Sequence, residues 1–206
     1  MIKRVISYID GFNLYHAIDE LNRPHLKWVD LWALSRSLVR PWETLISVHY
    51  FSAYATWMPA RHRRHIAYVN ALKARGVSVH LANFKVKWQK CNNCGATWKS
   101  REEKETDVSI AAHLVTDALL DRFDRAILIT ADSDIRAAVV MVAAEAPAKY
   151  VFVAAPPGRF GHARDLKPRL EITPGRVGRC LLPERVLDDA GTVVATRPPN
   201  YDPPLI

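Results

Sequence analysis

Cysteine is scarce in this chain, with three residues in 206, two of them spaced Cys-x-x-Cys. That count excludes the disulfide framework of a small secreted domain and suits a reducing cytoplasm, where a thiol pair serves metal or redox chemistry. Long apolar runs are missing too. The first one, Val5 to Ile9, is too short for a secretory signal or a membrane span and is followed at once by Asp10, Gly11 and Asn13. No internal repeat is visible. A cytoplasmic protein with no membrane association is expected. Acidic residues are in deficit, 21 Asp and Glu against 29 Lys and Arg, for a formal net charge of +8 and a pI of about 9.6. Such a surface attracts polyanions such as nucleic acid, although a merely solvated basic face has the same composition. Length and hydrophobic content fit one compact domain with a modest appendage.

Hydrophobic patterning sets out strands and helices in alternation. Strands are expected at Lys3 to Ile9, Thr44 to Tyr54, Val77 to Val86, Arg125 to Thr130 and Tyr150 to Ala155. Helices are expected at Leu14 to Leu21, Leu31 to Val39, Arg61 to Arg75 and Ile135 to Glu145, with another opened by the capping pair Ser100 and Glu103 or by Thr106. Parallel neighbours need crossovers of a dozen or more residues, so this alternation predicts an α/β fold: a doubly wound, three-layer parallel sheet over residues 1–155. Residues 85–101 break the pattern and read as an inserted Cys-x-x-Cys hairpin or knuckle. Residues 156–206, rich in Pro, Gly and Arg, read as an irregular extension with a weak helix near Leu166, a hairpin turning at Asp189 to Gly191 and an extended tail from Arg197.

If the sheet is built this way, Asp10 ends the first strand and Asp132 and Asp134 follow the fourth, at the carboxyl edge where open α/β sheets hold their ligands. Asp107 opens the intervening helix, which a crossover can bring to the same rim. Crowded carboxylates repel one another unless a cation is present, so the set predicts a hard-metal site for Mg²⁺ or Mn²⁺, with some acids acting through bound water. Each acid also has an ordinary explanation, as a turn residue, a first-turn charge or a helix cap. Turn chemistry does not require the second acid of Asp132-Ser-Asp134.

Three segments, Tyr8 to Leu14, Glu103 to Ala111 and Ile129 to Ile135, resemble in order the three motifs of the NYN domain, a branch of the PIN-like nucleases. The resemblance implies a Mg²⁺- or Mn²⁺-dependent ribonuclease acting on single-stranded or structured RNA. By position, Asp10, Asp107, Asp132 and Asp134 match the acidic metal positions and Asn13 the accompanying polar residue. Ile135 stands where many members have an aromatic residue.

Cys91-Asn-Asn-Cys94-Gly95 has the spacing of half a zinc ribbon, so Cys91 and Cys94 are candidate zinc thiolates, with a second chain one way to complete the set; a plain reduced turn is the alternative. A homo-oligomer is left open. Around that turn Lys85, Lys87, Trp88, Lys90, Lys99 and Arg101 interleave cations with aromatics, as a surface gripping RNA would. Arg61, Arg63 and Arg64 form a second basic run, at a helix start where positive charge opposes the helix dipole. Rival readings are a catalytically weak or inactive RNA-binding module on the same fold, a flap-type DNA nuclease, and a haloacid dehalogenase-type phosphatase. The last lacks its second acid, because Phe12 stands two residues after Asp10.

Overall fold

The computed structural model describes residues 2–204, without the side chains of Glu102, Glu103 and Lys104. Strands β1 (Lys3–Asp10), β2 (Glu43–Ala53), β3 (Ser78–Lys90), β4 (Thr97–Lys104), β5 (Arg125–Ile129), β6 (Tyr150–Ala155) and β7 (Leu170–Glu171) form one sheet in the order β4-β3-β2-β1-β5-β6-β7. All pairings are parallel except that of β4 with β3. The Val5–Asp10 run of β1 is continuously buried, as a strand covered on both faces must be.

Period-two alternation divides the side chains of β1 between two cores. Val5 and Ile9 pack with Leu14 and Ile18 of α1 (Gly11–Asp19), Leu31 and Leu34 of α2 (Leu31–Arg36), and Val69 and Leu72 of α3 (Pro59–Ala74). Ile6 and Tyr8 pack with Ile110 and Leu114 of α4 (Thr106–Leu119) and with Ala138 and Val142 of α5 (Arg136–Glu145). Helices therefore cover both faces of a mostly parallel sheet, an α/β arrangement. Among the described residues no helix is long and apolar enough to cross a membrane.

Several boundaries differ from the sequence expectation. Helix α1 begins at Gly11 because the Asp10 carboxylate accepts the Asn13 amide and caps it. Gly11 allows this tight entry, since a Cβ there would lie 2.6 Å from the Phe51 carbonyl oxygen and 2.5 Å from the Tyr50 ring. Residues 85–101 are continuous with the main sheet: β3 runs on to Lys90, and β4 returns antiparallel from Thr97. Ser100 lies in β4, so helix α4 opens at Thr106 after Glu105 at φ 83°; the Glu103 side chain of the alternative capping pair lies outside the described residues.

The C-terminal segment is more ordered than an irregular extension. Strand β7 adds to β6, and Ile172, Val177 and Cys180 enter the first core around α6 (Pro174–Gly178). A hairpin of β8 (Arg185–Leu187) and β9 (Val193–Thr196) turns through residues 188–192. The expected extended tail is corrected: Pro199–Tyr201 makes a 3-10 turn, and Tyr201 is buried with Trp28, Ala71 and Leu182. Proline forbids a regular helix here, but it does not prevent one aromatic from anchoring the chain.

Candidate active site

The order of the sheet reverses between β1 and β5, with β2 and β3 added on one side and β6 and β7 on the other. Crevices at the carboxyl ends of such a switch point are where open α/β sheets bind ligands. Asp10 ends β1 there, with only 4% of its surface exposed. Its Oδ1 accepts the Asn13 N–H at 3.0 Å, and its Oδ2 accepts the Thr130 hydroxyl at 2.9 Å. The Thr130 oxygen in turn accepts the Asp132 N–H at 3.0 Å, and Asp132 Oδ1 accepts the Asp134 N–H at 2.9 Å. Asn13 Oδ1 accepts the Ala131 N–H at 3.0 Å, clipping the start of α1 to the loop after β5. Asp10 and Asp132 are thus helix caps, and capping is what orients their carboxylates.

Asp10, Asp107 and Asp132 line one cavity of about 710 Å³, together with Asn13. Burial pushes the Asp10 carboxyl up to about 6, the hydrogen bonds from Asn13 and Thr130 oppose that, and the charges of Asp107 and Asp132 add to it. Asp134 is exposed and does not line the cavity. Among the described residues no three His, Cys, Asp or Glu side chains are gathered closely enough to form a metal-ligand group. The donors are nonetheless hard carboxylate oxygens with unused lone pairs. They fit Mg²⁺, which is held by one or two direct carboxylates and several waters.

Much of the remaining cavity lining is basic or aromatic. Arg61 and Arg64 of α3 line the cavity, and neither has a carboxylate partner among the described residues. Lys27 and Arg159 also line it but are ion-paired with Asp19 and Glu20. Trp57 packs edge-on against Phe84 at 4.6 Å, and Phe84 in turn against Phe12 at 5.6 Å; all three line the cavity. His65 accepts or donates at 3.2 Å with Tyr50, and burial holds its imidazole down to about 4, so it is neutral at pH 7.

Residues 4–167 match the NYN domain. The chain belongs to the NYN domain family. NYN is a nuclease-type domain, and its match contains all four acids and Asn13 but stops before Tyr201, which lines the cavity from the C-terminal segment. No curated protein matches the chain. A crystal structure of a protein of unknown function from Vibrio parahaemolyticus is similar at a TM-score of 0.54 and 20% identity, over 87% of this chain and 96% of that one. At that identity the likeness is one of fold.

Of the sequence-predicted cations, only Arg61 and Arg64 face the NYN cavity. Arg101 lies over the Trp57 ring at 4.7 Å, next to the cavity, and Lys99 over Trp88 at 5.1 Å, further along the β3–β4 hairpin. Lys85 pairs loosely with Glu105 at 3.8 Å. Arg63, Lys87 and Lys90 are exposed outside the cavity. Cys91 and Cys94 sit at the hairpin turn, also outside it. Sequence reasoning missed Phe12, Trp57, Phe84, Lys27, Arg159 and Tyr201. Phe12 lies inside a motif and could have been found there; the others come from separate elements and carry no local signal.

Proposed function

We propose that this NYN protein is a metal-dependent ribonuclease that hydrolyses RNA phosphodiester bonds at the Asp10 cavity. The observation that carries the reading is one cavity lined by Asp10, Asp107 and Asp132, by Arg61 and Arg64, which have no carboxylate partner among the described residues, and by the half-buried rings of Trp57 and Phe84. Bound Mg²⁺ or Mn²⁺ would acidify a water and offset the charge that develops on the phosphate. Asp10 and Asp132 would hold the ion, with Asp107 and the outlying Asp134 acting through water. Asn13 and Thr130 keep those carboxylates aimed. Arg61 and Arg64 bind backbone phosphates, and Trp57 and Phe84 offer faces and edges to unpaired bases. Arg101, Trp88 and Lys99 extend that cation and aromatic track along the hairpin, with Lys85, Lys87, Lys90 and Arg63 as outlying phosphate contacts. Scarce cysteine supports action in a reducing cytoplasm.

The deciding experiment incubates the full chain with labelled single-stranded and hairpin RNA, with Mn²⁺, with Mg²⁺ and with chelator, beside an Asp10→Asn control. Metal-dependent cleavage that the control lacks supports the proposal; cleavage that survives in chelator and in the control overturns it. The second reading, an RNA-binding module too weakly metallated to cut, is favoured by one observation: no three-carboxylate group is assembled among the described residues. Salt-sensitive RNA binding without cleavage in any metal would establish it.

A further inference from the structure

The tip of the β3–β4 hairpin is built with a specificity that RNA contact does not require. Lys90 pairs with Thr97, and the turn between them closes on two backbone bonds, Cys91 N–H to Ala96 O at 2.8 Å and Gly95 N–H to Cys91 O at 2.9 Å. Gly95 holds φ at +73°, in the region that favours glycine. Within the turn, Cys91 and Cys94 stand three residues apart on one short loop at the tip. Both cysteines are free, Cys94 is exposed and Cys91 partly so.

Two solvent-accessible cysteines spaced Cys-x-x-Cys on one turn that Gly95 closes match half of a tetrahedral thiolate zinc site. Such a site needs four ligands, and the chain does not supply the rest. Among the described residues no third His, Cys, Asp or Glu joins the pair. Cys180 is buried in the first core. Glu102 is paired in register with Lys85, five rungs back from Lys90, which places it roughly 17 Å along the strand.

We propose that Cys91 and Cys94 bind zinc as half of a tetrathiolate site that a second copy of this chain completes, tip to tip. Each thiol gives up its proton to solvent on binding, and four thiolates around Zn²⁺ leave a charge of about −2. Lys90 and Lys99 flank the turn on each copy and offset that charge. Without the ion the same lysines repel across the contact, so dimerisation depends on metal.

The test uses the full chain, reduced with a phosphine, stripped of metal and freed of chelator, then titrated with Co²⁺ and with Zn²⁺ while mass is followed by light scattering. Expected are sulfur-to-cobalt charge-transfer bands, saturation at about one ion per two chains, and a doubled mass that chelator reverses. Cys91→Ser and Cys94→Ser should each lose the bands and the dimer with an unchanged circular dichroism spectrum, while Cys180→Ser keeps both. Saturation at one ion per chain on a monomer, absence of charge-transfer bands, or a dimer indifferent to chelator would overturn the proposal. None of these readouts involves RNA cleavage.

Discussion

The Thr130 hydroxyl donates to the Asp10 carboxylate at 2.9 Å while its oxygen accepts the Asp132 N–H at 3.0 Å, so one fully buried side chain joins the ends of β1 and β5. Thr130→Val keeps the shape and removes both bonds. It is expected to cost about 1–3 kcal/mol and to lower RNA cleavage, because Asp10 loses a donor that favours its charged form. Thr130→Ser should recover most of both. Urea denaturation and cleavage rates test this, and a Val variant with wild-type cleavage would remove Thr130 from the site.

The pH dependence of Asp10 has a definite sign. Its folded-state carboxyl is raised from 3.8 to about 6, so between those values the folded protein holds a proton that the unfolded chain has released. Stability therefore falls as pH rises through that window, by up to about 3 kcal/mol in metal-free protein. Asp10→Asn is neutral throughout and keeps an acceptor for the Asn13 amide. In chelator its stability relative to wild type should improve from about pH 4 to about pH 7. His65 and His80, held down to about 4 mainly by burial, act with the opposite sign, losing stability as pH falls below 6.5, but they do so in both proteins. A difference between variant and wild type that does not change with pH would sink this account.

The four acids are expected to be unequal. Asp132→Asn should abolish cleavage and most of the Mg²⁺-induced rise in thermal stability, since Asp132 lines the cavity. Asp134→Asn, at an exposed residue outside it, should leave measurable activity. Arg61→Ala with Arg64→Ala should instead weaken RNA binding and flatten its salt dependence without altering the metal response. Equal loss in the two aspartate variants would show that Asp134 reaches the ion directly.

Away from the site, Arg125 and Glu43 form a buried ion pair at 2.6 Å between β5 and β2. Glu43→Ala leaves the guanidinium with the Leu38 carbonyl and is expected to cost about 3–5 kcal/mol. The paired replacement Glu43→Leu with Arg125→Met should be less damaging than either single change. Calorimetry of the variants decides, and a single variant of wild-type stability would contradict the burial seen here.

Much of this protein is legible along the chain. The β-branched run ending at Asp10, the acids after β5 and the alternation of strands and helices lead to a covered parallel sheet with carboxylates at its edge, because period and strand ends are local properties. Asp10 and Asp132 could be read as caps or as ligands, and the fold gives them the capping bonds while both still line the cavity. Other features were decided only in three dimensions. Residues 85–101 looked like an insertion because Lys, Trp and a Cys-Asn-Asn-Cys-Gly turn interrupt the hydrophobic alternation, yet backbone pairing makes them part of the main sheet. The basic and aromatic lining of the cavity comes from α3 with the loop before it, β3 and the C-terminal turn at Tyr201, segments that only the fold brings to one space. Asp134 shares a motif with Asp132 but not its cavity, since the tight turn after β5 sends the two side chains to different surroundings. Sequence spacing determines which residues leave a strand together; the packing around the turn decides which of them face the same space.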